Sequence, residues 1–169
     1  MAEMNLWIDS YDDIFSDFDS RHYLKRRISE DFIHELQFEM KYVEQPAIDM
    51  ILLLPEQKRS ESAEKIIKAS LVNFFTHQFH DHQDKCRKKF NTGIVLLVTG
   101  IVIMLLNSWL GYYPPKTFLV VGVKILLEPA GWFLIWVALD FLYYDHTGLK
   151  KERDLYKQLA EMHIHFGSS

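Results

Sequence analysis

Two apolar runs toward the C-terminal end, Thr92 to Leu110 and Phe118 to Tyr144, constrain this chain more than any other feature. A bilayer core takes about 20 mostly apolar residues as helix, and the first run, TGIVLLVTGIVIMLLNSWL, carries no charged side chain. The connection Gly-Tyr-Tyr-Pro-Pro-Lys-Thr from Gly111 to Thr117 is too short to hold a domain, so the pair predicts an antiparallel helical hairpin with both chain ends on one side. Lys85, Arg87, Lys88 and Lys89 precede it and Lys150, Lys151, Arg153 and Lys157 follow it, against Lys116 alone in the connection. That asymmetry predicts cytoplasmic N- and C-termini. Trp109, Tyr112 and Tyr113 at one end, with Tyr143 and Tyr144 at the other, fall where amphipathic rings favour lipid headgroups, and read as interfacial anchors.

The expected fold class is therefore an α-helical membrane hairpin of two transmembrane helices with a small cytoplasmic α/β domain built from the N- and C-terminal segments. The divisions are an acidic-aromatic then basic segment (1–28), a cytoplasmic α/β part with a long helix from about residue 60 (29–90), the first span (91–111), a short extracytoplasmic loop (112–117), the second span (118–144) and a cytoplasmic helix with a short strand (145–169). A net charge of −4 gives no nucleic-acid footprint. The acidic N-terminus lacks the apolar stretch of a secretory signal. Cys86, the single cysteine, reads as a free reduced thiol. No cofactor is implied.

Residues 3 to 19 place Glu3, Asp9, Asp12, Asp13, Asp17 and Asp19 among Trp7, Ile8, Tyr11, Ile14, Phe15 and Phe18. That is too little apolar surface to fold alone. The segment reads either as a tail laying its aromatics on its own domain or as a short motif in which Trp7, Tyr11, Phe15 and Phe18 dock on a protein partner. Arg21, Lys25, Arg26 and Arg27 then reverse the sign, placed to neutralise those acids or, as an alternative, to contact anionic lipid. Ser29 suits an N-cap, with Glu30 and Asp31 in the first turn, and Phe32, Ile33, Leu36, Met40 and Val43 recur at helical spacing, predicting a helix from Glu30 to Val43. A period-two alternative through Leu36, Phe38, Met40 and Tyr42 leaves a strand open. Ile48 to Leu54, ended by Pro55, suits a strand buried on both faces. Glu56 to Ser60 reads as a polar turn.

From Ser60 an apolar stripe of Ile67, Leu71, Phe74, Phe75 and Phe79, with no Pro or Gly before Asn91, predicts a helix running unbroken into the first span. Leu149 to Met162 predicts another helix, and His163 to Phe166 a terminal strand pairing with Ile48 to Leu54. Gly167-Ser168-Ser169 reads as a disordered tail.

Lys124, Glu128 and Asp140 interrupt the second run, and ionisable groups inside a span face a partner, a cavity or an interface because each costs about 2.5 to 3.5 kcal/mol there. Lys124 and Glu128, four apart, can pair along one helix face. Two placements compete: a full span from Phe118, or an interfacial helix from Thr117 to Leu127 with Pro129 starting a shorter span of Trp132 to Tyr144, which the two Lys in the preceding stretch favour. Gly93 and Gly100, like Gly131 and Ala138, are seven apart, so each pair shares a face and permits close helix packing; two spans bury little surface, so self-association is expected. His77, His80 and Asp81 share a helix face with the ligand types that suit zinc, although the spacing is not HExxH.

No GxSxG, phosphate loop, CxxC or Cys/His nucleophile arrangement is present, and no enzyme activity is implied. The stretch Asp13 to Arg21, the Gly131-Trp132…Trp136 segment, Leu142-Tyr143-Tyr144-Asp145 and the Lys-Lys-x-Arg-x-Leu-Tyr that follows resemble an uncharacterised family of small bacterial two-span membrane proteins. The resemblance implies two spans and a bacterial inner membrane, and carries no catalytic residue. Three functions are open on the residues: a membrane-anchored homo-oligomeric scaffold presenting an α/β platform to partners, a small oligomeric channel or transporter subunit using Lys124 and Glu128, and a metal-dependent enzyme or sensor around His77, His80 and Asp81.

Overall fold

The computed structural model describes residues 3–42, 49–112 and 117–168. The chain divides into two compact units, Met1–His80 with Arg153–Ser169, and Asp81–Glu152.

The first unit is α/β. Its strands β1 (Glu3–Trp7), β2 (Asp49–Leu54) and β3 (His163–Ser168) form a sheet in the order β1-β2-β3, parallel throughout. Parallel neighbours need crossover connections, and the helices supply them: α1 (Glu30–Tyr42) lies between β1 and β2 in the chain, while α2 (Glu61–Tyr112), α3 (Phe118–Asp140) and α4 (His146–Glu161) all lie between β2 and β3. Everything in the second unit is thus an insertion within one crossover.

Alternation along the strands decides where the core sits. Met4 and Leu6 of β1, Met50, Leu52 and Leu54 of β2 and Ile164 of β3 are buried, and they form one cluster with Phe32 and Leu36 of α1, Ile67, Leu71 and Phe75 of α2, and Leu159 of α4. Burying each such side chain is worth about 1.5–3 kcal/mol. Phe32 and Leu36 are inside while Phe38 is 45% exposed, the helical period rather than the strand alternative. Val43 and Ile48 lie outside the described residues.

Three expectations change here. The acidic N-terminal segment lays Tyr11 and Phe15 on its own domain, but its first described residues also form β1, because Met4, Leu6 and Ile8 alternate with polar neighbours and fit one face of the sheet. Strand β2 is fully buried on one face only, since Ile51 and Leu53 on the other are half-buried. Gly167 and Ser168 belong to β3 and pair with Leu53 and Leu54, so they are not a disordered end. Behind β1, a turn at Tyr11–Ile14 and a bridge from Phe15 to Ile28 fold the acidic and basic stretches together. Arg21 pairs with Asp19, Arg26 with Asp12 and Arg27 with Glu30, so the basic stretch does neutralise acids near it.

In the second unit, the apolar parts of α2 and α3 pack antiparallel. Gly93 meets Leu142, just past the end of α3, Gly100 meets Ile135 and Gly111 meets Lys124, so each climb of seven and then eleven residues on α2 is matched by an equal descent from Leu142 along α3. Pro129 sits inside α3 and does not start a helix; its nitrogen has no proton to offer the Ile125 carbonyl, yet the helix continues from Phe118. A π turn, Phe141–Asp145, joins α3 to α4. Both α2 and the α3–α4 helix are long and apolar enough to cross a membrane.

Candidate functional site

The seam between α2 and α3 is built on a seven-residue repeat. Cys86, Gly93, Gly100 and Asn107 are the buried positions of α2 in this unit, and Gly131 and Ala138 those of α3. Seven residues return a helix to nearly the same face, the repeat of a left-handed helix pair. All four small residues singled out in the sequence, Gly93, Gly100, Gly131 and Ala138, lie in this seam. A Cβ on Gly100 would fall 3.1 Å from the Gly131 carbonyl oxygen, so backbone approaches backbone there.

The charged residues of α3 separate. Lys124 is half-buried and its Nζ lies 3.0 Å from the point where a Cβ on Gly111 would be, beside the last turn of α2. Terminal carbonyls give that turn partial negative charge, so the ammonium rests on a helix end. It forms no ion pair with Glu128 among the described residues, and Glu128 is exposed. The antiparallel register sets Glu128 level with Asn107, which is 9% exposed and whose Oδ1 has no hydrogen-bond partner among the described residues. Asn107 escaped the sequence reading, although its amide within an apolar run, seven residues after Gly100, was the available signal. Asp140 is exposed and joins Phe133, Trp136, Val137, Leu139 and Tyr143 around a shallow apolar hollow on the outer side of α3.

Of the anchors, Trp109 is 62% exposed, Tyr112 82% and Tyr143 70%. Tyr113 lies outside the described residues, as does the side chain of Tyr144. The π turn brings Leu142 against Gly93 and Phe141 within 5.8 Å of the Lys89 ammonium, measured to the ring centre.

His77, His80 and Asp81 fall on α2, where the Asp81 carboxylate takes the Lys85 ammonium at 2.6 Å. No group of three His, Cys, Asp or Glu placed to hold a metal ion occurs among the described residues.

Within the α/β unit, the four aromatics assigned to docking divide. Tyr11 and Phe15 are in the core, while Trp7 and Phe18 are on the surface. The Tyr11 hydroxyl donates to Glu64 Oε1 at 3.1 Å and accepts the Ser60 N–H at 2.9 Å, and Arg59 donates to both Glu64 oxygens at 2.8 and 3.2 Å. The Arg59 hydrogen bond holds the Glu64 carboxyl below its ordinary value, against the opposing effect of burial. Burial pushes the Tyr11 hydroxyl up. This node fastens the N-terminal segment to the start of α2.

Among the described residues, the helices pack on one face of the sheet and leave the other open. Register stacks three rows across it: Glu3–Asp49–His163, Asn5–Ile51–His165 and Trp7–Leu53–Gly167. Trp7 is 58% exposed, and Asp49 reaches His165 at 3.6 Å along the face. The face is polar at the strand starts and apolar at the strand ends.

No family model, curated protein or solved structure matches the chain.

Proposed function

We propose that this protein is a membrane-anchored, homo-oligomeric scaffold whose hairpin crosses the inner membrane, with both termini in the cytoplasm, and whose α/β unit forms a platform there. The observation that carries this reading is the insertion of α2, α3 and α4 between two adjacent strands: both ends of the hairpin return to one small sheet, which itself keeps a face uncovered. The outward side chains of the hairpin, among them Leu105, Phe133 and Trp136 at 64–68% exposure, supply a lipid-facing surface. Basic residues on both flanks favour the cytoplasmic side. The test is the particle mass of the purified chain in lipid nanodiscs. A multiple of the chain mass is expected, and a strictly monomeric particle refutes the reading.

A channel or transporter subunit is the second reading, favoured by Glu128 and Asn107, an exposed carboxylate and an unsatisfied amide at one level of the hairpin. A conducting path would need several hairpins around it. Liposome flux unchanged by Glu128→Gln and Lys124→Met removes this reading.

A further inference from the structure

All-parallel sheets occur almost only with both faces covered, and here the helices cover one. The other face is complementary to itself. Its first row carries acid on β1 and imidazole on β3, while its last row carries a large indole on β1 and Gly167 on β3, with Ile51 and Leu53 between them on the central strand.

We propose that the occupant of this face is the same face of a second copy of the chain, related by a two-fold axis running along β2. Rotation about that axis lays β1 of one copy over β3 of the other, at the roughly 10 Å spacing of packed sheets. Glu3 then meets His163 of the second copy, and Trp7 meets the flat shelf where Leu53 and Ile51 lean over Gly167; a Cβ there would lie 2.9 Å from Leu53 Cδ2. Ile51 and Leu53 meet their own copies at the centre. Asp49 also faces its own copy, with the His165 imidazole 3.6 Å away in the same chain. The competing two-fold axis, across the strands, would set Glu3 on Trp7 and Asp49 on Leu53, pressing two acids onto apolar surface.

The chosen axis also keeps the strands of the two copies running in the same direction. This inference rests on the membrane-anchored reading above, because the patch is small. Three strands about 4.8 Å apart and five residues long cover about 14 by 17 Å, far below the roughly 800 Å² per partner of a stable soluble dimer. Confinement to one bilayer raises the effective concentration enough for such a contact to form.

The experiment uses the full chain with Cys86→Ala and Ile51→Cys in lipid nanodiscs and in native membranes, with a short bis-maleimide cross-linker, because facing Cα atoms about 10 Å apart lie beyond the reach of a direct disulfide. A covalent dimer is expected at Ile51→Cys and not at a control, Glu35→Cys, on the exposed side of α1. Glu3→Lys and His163→Glu should each lower the cross-linked yield by about fivefold, and the double variant should restore it. Equal yields at the two cysteines, no response to either charge reversal, no restoration in the double variant, or cross-linking in native membranes only to a different protein would each overturn the interface. If the nanodisc mass nevertheless remains a multiple of the chain, the interface alone is wrong; a monomeric mass removes the scaffold reading with it.

Discussion

Replacing Gly100 by alanine tests the helix seam where it is tightest. The new Cβ would lie 2.9 Å from Ile135 Cγ1, 3.1 Å from the Gly131 carbonyl oxygen and 3.2 Å from the Ile135 nitrogen. Two of these three atoms are backbone and cannot rotate aside, while ordinary carbon contacts need about 3.5–4.0 Å. The helices must separate, and overpacking of this kind costs about 1–3 kcal/mol. Alanine recovers up to about 1 kcal/mol of helix propensity over glycine, so the net loss reaches about 2 kcal/mol. Gly122→Ala is the control: nothing lies within 4 Å of its added Cβ, so the propensity gain stands unopposed. The difference between the two variants isolates the steric cost. Gly131→Ala should fall between them, because its closest contact, 2.6 Å, is Met104 Cγ on a flexible side chain and the Gly100 oxygen is 3.4 Å away. Unfolding in mixed micelles by SDS titration, followed by fluorescence transfer between labels on α2 and α3, gives the order Gly122→Ala, Gly131→Ala, Gly100→Ala from most to least stable. Equal stability for the first and last would refute close backbone approach in the seam.

Tyr11→Phe removes the acceptor for the Ser60 N–H and the donor to Glu64, and should cost about 1–2 kcal/mol, seen as faster hydrogen exchange of the β1 amides. Arg59 depresses the Glu64 carboxyl, and the Arg21 guanidinium, followed by the Arg27 N–H, holds Asp19 well below the usual carboxylate range. A depressed folded value contributes stability above the ordinary carboxylate pKa of about 4 and loses it as pH falls through the folded value. Urea midpoints of the α/β unit should therefore drop below about pH 4, less steeply in Glu64→Gln. Cys86, 5% exposed, should react with maleimide far more slowly than a cysteine placed at Arg87 in a Cys86→Ala chain, and equal rates would show the thiol to be unburied.

The hairpin helices were legible because two long, mostly apolar runs signal them independently of context. Strand β2 and its pairing with β3 were legible too, since Pro55 and the short His-Ile-His-Phe alternation bound them. Strand β1 was hidden by composition: six acids suggested a solvated segment, although Met4, Leu6 and Ile8 already alternate in period two. Burial of Tyr11 depends on Ser60 and Glu64, some fifty residues away, and no local pattern encodes that distance. Pro129 looked like a helix start because soluble helices place proline in the first turn; within α3 the flanking apolar turns continue the helix through it. Lys124 and Glu128 looked like a pair on spacing alone, but Lys124 lies against Gly111 in the last turn of α2, a neighbour that one helix considered by itself cannot show.

Placing the whole stretch from Pro55 to Met162 between neighbouring strands gives biogenesis an order. During synthesis β1, α1 and β2 emerge before the hairpin, but the sheet lacks an edge until His163–Ser168 leave the ribosome, after both apolar helices have emerged. Completion of the platform therefore reports that the inserted helices have already been made, and a chain truncated anywhere within them would display β2 as an unfinished edge to the cell's quality-control proteases.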